Sequence, residues 1–187
     1  MVSSPCTRRC AAKSSGSRLK MNEQRFVDEL KTQFGGELVE FRGETRLIIL
    51  LKDLFPAVEA IRKMGFERLS GITAVDYFPA DDPRFHLVYL FTSLQHGATF
   101  EMRVPVPAIN PSAPSVEKIY PNANWREREI YDMFGITFDG HSDLRRILMP
   151  HDWEGHPLRK DYPLGYEEPQ FTFNFDEIDV RKPYAKE

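Results

Sequence analysis

Three runs with strand character, Phe66 to Phe78, Arg84 to Ser93 and Ala98 to Val106, follow one another closely along the chain. Only the stretch from Pro79 to Pro83 and the tripeptide Gln95-His96-Gly97 separate them. Both breaks are rich in turn-forming residues, and each is short enough for an antiparallel hairpin. Upstream, Asn22 caps a helix in which Phe26, Leu30 and Phe34 recur at four-residue spacing, until Gly35-Gly36 stops it. Glu37 to Phe41 and Thr45 to Leu51 read as strands joined by a tight turn at Arg42-Gly43-Glu44. Asp53 opens a second helix that tolerates Pro56 in its first turn. Ala57, Ala60, Ile61 and Met64 give it an apolar face, and Gly65 ends it. Helix, hairpin, helix, meander is an α+β order, with a mixed or antiparallel sheet flanked by helices.

Beyond the meander, the Pro-rich link from Pro105 to Pro114 leads into a section expected to be largely helical. Ser115 to Tyr120 suit one or two helical turns. Asn124-Trp125-Arg126-Glu127 has the shape of a capping box, with Glu127 placed to reach back to the cap, and the helix runs through Phe134 to Gly135. After Pro150 regular structure thins, because Pro157, Pro163, Pro169 and Pro183 recur. In that tail Phe171, Phe173 and Phe175 alternate with Thr172 and Asn174, which puts aromatic side chains on one side of an extended segment. So short a segment cannot bury that face alone and is expected to dock on this domain or on a partner. The expected division is a disordered basic leader at 1–20, an α+β domain at 21–150 that includes the last helix, and an extended tail at 151–187.

Charge narrows the function. Twenty-five Lys and Arg stand against twenty-eight Asp and Glu, a net charge of −3. Arg8, Arg9, Lys13, Arg18 and Lys20 put five of the bases in residues 1–20, where there is no acid. The remainder therefore holds twenty bases against twenty-eight acids, a net of −8. That balance excludes a general nucleic-acid binder. The longest aliphatic run, Leu47 to Leu51, is far short of the roughly twenty residues that span a bilayer. The leader lacks the apolar stretch of a secretory signal, and it reads as a disordered extension or as an over-long start with the true first residue at Met21. Its basic, Ser-rich, acid-poor composition also leaves a transit peptide open. Cys6 and Cys10 both lie in it. A fold without further cysteine has no disulfide framework, no thiol nucleophile and no cysteine-ligated iron–sulfur cluster, and suits a reducing compartment.

Chemistry-bearing motifs are sparse. There is no G-x-S-x-G, no Walker loop and no G-x-G-x-x-G. His141, His151 and His156, with Asp143, Asp152, Glu154 and Asp161, offer imidazole and carboxylate to a metal. Gly155 and Pro157 place them on turns, however, and capping roles explain them equally well. Glu127, Glu129 and Asp132 share one short helix with Arg126 and Arg128. Glu129 and Asp132, three residues apart, are expected on one face. Such carboxylates either do proton work or form an ion-pair network against Arg145, Arg146 or Arg159. Tyr77, Trp125, Trp153 and Tyr162 read as core or interface anchors.

The block from Asn124 to Leu164, NWREREIYDMFGITFDGHSDLRRILMPHDWEGHPLRKDYPL, resembles the signature of one family of respiratory complex I, the thirty-kilodalton subunit of NADH-quinone oxidoreductase. The resemblance rests on Glu127-Arg128-Glu129, Tyr131 to Gly135, His141, Asp143 to Leu148 and Trp153 to Tyr162. It implies a peripheral-arm subunit, without an active site of its own, of proton-translocating NADH:quinone oxidoreductase. In that family FMN and iron–sulfur clusters sit in partner subunits, and this chain is expected to bind no cofactor and no metal. The expected partners are other peripheral-arm subunits, chiefly the hydrogenase-large-subunit-like neighbour that helps build the quinone site. The tail would lie along that neighbour, and contact with the membrane would be indirect. Glu127, Glu129, Asp132, Arg145, Arg146, Trp153, His156, Arg159, Asp161, Tyr162, Phe171, Phe173 and Phe175 then become assembly residues. The implied location is the cytoplasmic side of a bacterial inner membrane. An equivalent subunit of an energy-converting hydrogenase or a ferredoxin-using photosynthetic complex is the alternative, and a stand-alone metal-dependent enzyme the remote one.

Overall fold

Alternating apolar residues and short turns give this chain its sheet. A computed structural model describes residues 26–41, 44–80 and 82–163. Residues 26–34 are helical (α1) and lead into β1 (Glu37–Phe41) and β2 (Glu44–Ile48), an antiparallel pair. A short 3₁₀ turn (Leu51–Asp53) runs directly into α2 (Leu54–Lys63). The meander follows as β3 (Arg68–Asp76), β4 (Phe85–Ser93) and β5 (Ala98–Val106), paired antiparallel in sequence. β5 also pairs with β2, in parallel, which sets the order β1-β2-β5-β4-β3 and makes the sheet mixed.

The pleat sorts the side chains. Phe85, Leu87, Tyr89 and Phe91 of β4 stand opposite Val106, Val104, Met102 and Phe100 of β5, and all eight are buried. Val27 and Leu30 of α1, with Leu54, Ala57, Val58 and Ile61 of α2, complete that core. Each large apolar side chain removed from water contributes about 1.5–3 kcal/mol before ordering costs. The opposite face carries Arg46, Glu101 and Arg103, with Glu101 accepting from Arg46 Nε at 3.1 Å and Arg103 Nε at 2.6 Å.

Four sequence expectations need adjusting. β3 is shorter than the Phe66 to Phe78 run because both ends are used otherwise: the Phe66 carbonyl accepts the Tyr120 hydroxyl, and the Phe78 N–H donates to Asp76 Oδ1. The link before residue 115 contains β6 (Ser112–Pro114), paired in parallel with β7 (Thr137–Asp139). Three residues ending in proline give no periodic signal, so only tertiary pairing reveals this strand. Among the described residues, the section after the link therefore holds one helix and one short strand. Ser115 to Tyr120 form a single turn, with the N–H groups of Ile119 and Tyr120 both donating to the Val116 carbonyl.

That helix is α3 (Ala123–Phe134). It starts ahead of the expected cap: Asn122 occupies the cap without a side-chain cap bond, and its amide reaches the Leu69 carbonyl of β3 at 2.7 Å. Of the expected tail at 151–187, the described part, 151–163, holds turns and bends with no helix or strand. The leader at 1–20 and the tail aromatics Phe171, Phe173 and Phe175 lie outside the described residues.

Candidate functional site

An α-helix leaves its last four carbonyls without partners. In α3 one is met within the cap and the other three by the segment from 156 to 159. Tyr131 accepts from the Gly135 N–H at 2.9 Å, and Met133 from the Leu158 N–H at 3.1 Å. The Asp132 carbonyl faces His156 Nδ1 at 3.0 Å, and Phe134 accepts from Arg159 Nε at 2.5 Å. Gly135 makes this closure fit. It takes the left-handed conformation with φ 70°, and a Cβ there would stand 2.5 Å from the His156 ring and 2.7 Å from Arg159.

The Asp132 carboxylate organises the next segment. Its Oδ1 accepts from Arg146 Nη1 at 2.7 Å, and its Oδ2 from the N–H groups of Ile147, Leu148 and Met149 at 3.1, 2.7 and 2.8 Å. Burial alone would raise this carboxyl, but those four donors outweigh it and hold it below the usual range. Arg146 carries the tie onward, donating through Nη2 to the carbonyls of Trp153 at 2.8 Å and Gly155 at 3.0 Å. One acid and one arginine thus pin irregular backbone from 146 to 155. Tyr162 lies over Gly155, where a Cβ would meet its ring at 2.7 Å.

A second cluster joins residues 160–161 to the sheet edge. Arg84 grips buried Asp76 with two parallel bonds of 2.9 Å and also donates to both Asp161 oxygens at 3.0 and 2.6 Å. The Lys160 N–H adds a bond of 2.9 Å to Asp76. Burial pushes Asp76 up, but the Arg84 fork and the N–H groups of Lys160 and Phe78 bring it down to about 2. Asp161 is lowered chiefly by its bonds to Arg84, and Arg84 is raised by its two carboxylates. Sequence reading missed Asp76 and Arg84. A signal existed: Asp76 continues the inward register of Ile72 and Ala74, where an acid is costly unless paired.

The remaining candidates separate. Glu127 is fully buried and does not reach back to a cap, because a helix that starts at Ala123 turns this residue toward the core. It accepts from Ser115 Oγ at 2.6 Å and the Val116 N–H at 2.8 Å, and burial raises its carboxyl despite them. Glu129 points away from Asp132 into a surface pair with Arg126 at 3.3 Å, so the two carboxylates do not meet. Arg145 pairs at the surface with Asp143 at 2.8 Å, and its carbonyl, not its guanidinium, joins the network by accepting from Arg128. Trp125 is 62% exposed and anchors no core. The three histidines disperse: His141 Nδ1 accepts from the Asp143 N–H, His156 sits against Gly135, and His151 lines a cleft. Among the described residues, no group of three or more His, Cys, Asp or Glu is placed to hold a metal ion.

That cleft, about 570 Å³ and open to solvent, separates α3 from residues 144–151. Arg128, Tyr131, Arg145, Arg146 and His151 line it together with Leu144, Ile147 and Met149.

Taken with the mixed sheet, this helix and its charged clasp define an α+β domain of a kind already known. A trypsin-resistant fragment of Nqo5 superimposes with a TM-score of 0.59 at 33% identity, covering 65% of this chain and 98% of that one. A chain of the membrane-bound sulfane sulfur reductase, an archaeal respiratory membrane complex, gives a TM-score of 0.67 at 22% identity over 76% of this chain and 86% of that one, and so shares the fold. An NADH-quinone oxidoreductase subunit of Roseiflexus sp. (strain RS-1) is 46% identical over 151 residues, 79% of this chain and 86% of that protein. The corresponding NADH-quinone oxidoreductase subunit of Herpetosiphon aurantiacus is 50% identical over 124 residues, 66% and 72% of the two chains. The model of the respiratory-chain NADH dehydrogenase 30 Kd subunit family matches residues 48–168, and the chain belongs to that family.

Proposed function

We propose that this chain is a structural subunit in the peripheral arm of a proton-translocating NADH:quinone oxidoreductase. It holds the arm together beside the quinone-site neighbour, while FMN and iron–sulfur clusters reside in partner subunits. The observation that carries this reading is where the family-signature charges go. Asp132, Arg146, Asp161 and Arg159 each meet a partner inside the fold, where they fix the chain from 146 to 161 against α3 and the sheet edge. Charges used this way give a rigid, irregular surface, which suits docking. Among the described residues no helix is long and apolar enough to cross a membrane, which accords with attachment through the complex. The bacterial relatives favour the cytoplasmic face of an inner membrane.

A sister membrane complex with a different electron donor is the second reading, supported by the fold shared with the sulfane sulfur reductase chain. The higher identity to NADH-quinone oxidoreductase subunits favours the first. Affinity purification of the intact chain from gently solubilised host membranes tests both. Recovery with flavin and iron–sulfur subunits, and inhibitor-sensitive NADH–quinone turnover in the eluate, is the expected result. A nickel–iron hydrogenase-type large subunit without NADH activity would move the chain to the sister class. A lone chain carrying stoichiometric metal would overturn the scaffold reading.

A further inference from the structure

The cleft beside α3 is walled by arginine and lined by hydrocarbon, and its charges do not cancel. Arg146 is used on Asp132 at 2.7 Å, and Arg145 faces Asp143 at 2.8 Å. Arg128 differs. It is 8% exposed, and its Nε and Nη2 donate only to the main-chain carbonyls of Arg145 and Arg146, at 3.2 and 3.3 Å. Among the described residues no carboxylate pairs with it. Its guanidinium lies over the ring of exposed Trp125, 5.4 Å from the centroid. A buried cation facing only dipoles is poorly compensated. The wall therefore keeps one net positive charge on a chain whose residues 21–187 sum to −8.

One cation without a carboxylate partner, the Tyr131 ring and the apolar side chains of Leu144, Ile147 and Met149 select for a single carboxylate beside an apolar side chain. A phosphate or polyanion would need several convergent cations, and two of the three arginines already have carboxylate partners. We infer that this cleft is the docking site for an acidic peptide segment of a partner subunit. One Asp or Glu of that segment meets Arg128, and a neighbouring apolar residue covers Leu144 and Ile147. The inference rests on the scaffold reading and adds to it the surface and the chemistry of the partner.

The test uses the full chain in its own host membranes and reads the sign of charge at exposed His151 on the cleft wall. H151E should lower recovery of partner subunits tenfold or more by repelling the acidic segment, while H151K should match or exceed the wild type. Because His151 is exposed, both variants should keep the wild-type melting midpoint. R128Q, which keeps a donor for the carbonyls and removes the charge, should also lower recovery. A benzophenone amino acid at position 151 should cross-link to a partner peptide containing Asp or Glu, and changing that acid to Lys should restore recovery with H151E. If H151E and H151K recover partners as well as the wild type, or the cross-linked peptide carries no acid, the inference is overturned while the scaffold reading stands. If the wild type itself recovers no partner, both fall.

Discussion

The sheet half and the signature half of this molecule are held together by different forces. From α1 to β5 the chain is secured by hydrocarbon: buried Leu, Val, Phe and Met on one pleat face, with ladder bonds satisfying the backbone. From residue 115 to 163 regular structure is scarce, and carbonyls and N–H groups that have no ladder must find partners individually. Glu127, Asp132, Arg146, Arg159 and the Asp76–Arg84–Asp161 cluster supply them. Apolar packing tolerates exchange among similar shapes. A hydrogen-bonded clasp tolerates little, because removing one member leaves the others buried and unsatisfied.

The largest effect is expected where the clasp loses its centre. Asp132→Ala strands Arg146 and three N–H groups and should cost about 3–5 kcal/mol, measured by urea unfolding of the full chain. Limited proteolysis should find residues 145–155 opened before the sheet. If 145–155 instead stay protected until the sheet unfolds, the two halves are not separately held. Leu87→Ala, in the sheet, should cost about 2–5 kcal/mol by cavity formation, with no preferential cleavage at 145–155. Similar local cleavage in both variants would erase the contrast.

Acid should separate the halves as well. Asp76 in the fold lies near 2, below its ordinary value of 3.8, so its contribution of about 2 kcal/mol is complete above roughly pH 4 and is lost as pH falls toward 2. Asp132 and Asp161 are shifted in the same direction. Backbone amides at 147–149 and 160 should lose hydrogen-exchange protection first on acidification, ahead of the β4–β5 ladder. Glu127 runs the other way, since burial raises its carboxyl and acidification does not withdraw its contribution. Glu127→Gln keeps an acceptor for Val116 and a donor for Ser115, and should shift stability by less than about 1 kcal/mol at neutral pH. The smallest change belongs to Glu129→Gln, whose exposed pair with Arg126 is worth under about 0.5 kcal/mol in melting experiments.

Much of the architecture was legible from local pattern. Period-two alternation, the turns at Pro79–Pro83 and Gln95–Gly97, and the glycine stops at 35, 65 and 135 place most elements within a few residues. The pairing of β2 with β5 was not legible, because parallel partners are chosen by tertiary packing and distant strands carry no mark of it. At the site, the sequence marked the charged run of α3 but not which charges turn inward. Glu129 and Asp132 sit three apart, and yet one faces solvent and the other the core. Asp76 and Arg84, far from the signature block, join it only once the chain has folded.

By itself, then, the sequence determined the fold class, the meander, the family and the candidate charged residues, since each depends on residue type at short spacing. The tertiary structure decided the partners. Asp132 collects three N–H groups from residues 147–149, Arg84 reaches Asp161 across 77 residues, and Arg128 meets two carbonyls and the Trp125 ring. Hydrogen bonds and ion pairs act over a few ångströms of space without regard to distance along the chain, so only the folded arrangement assigns them.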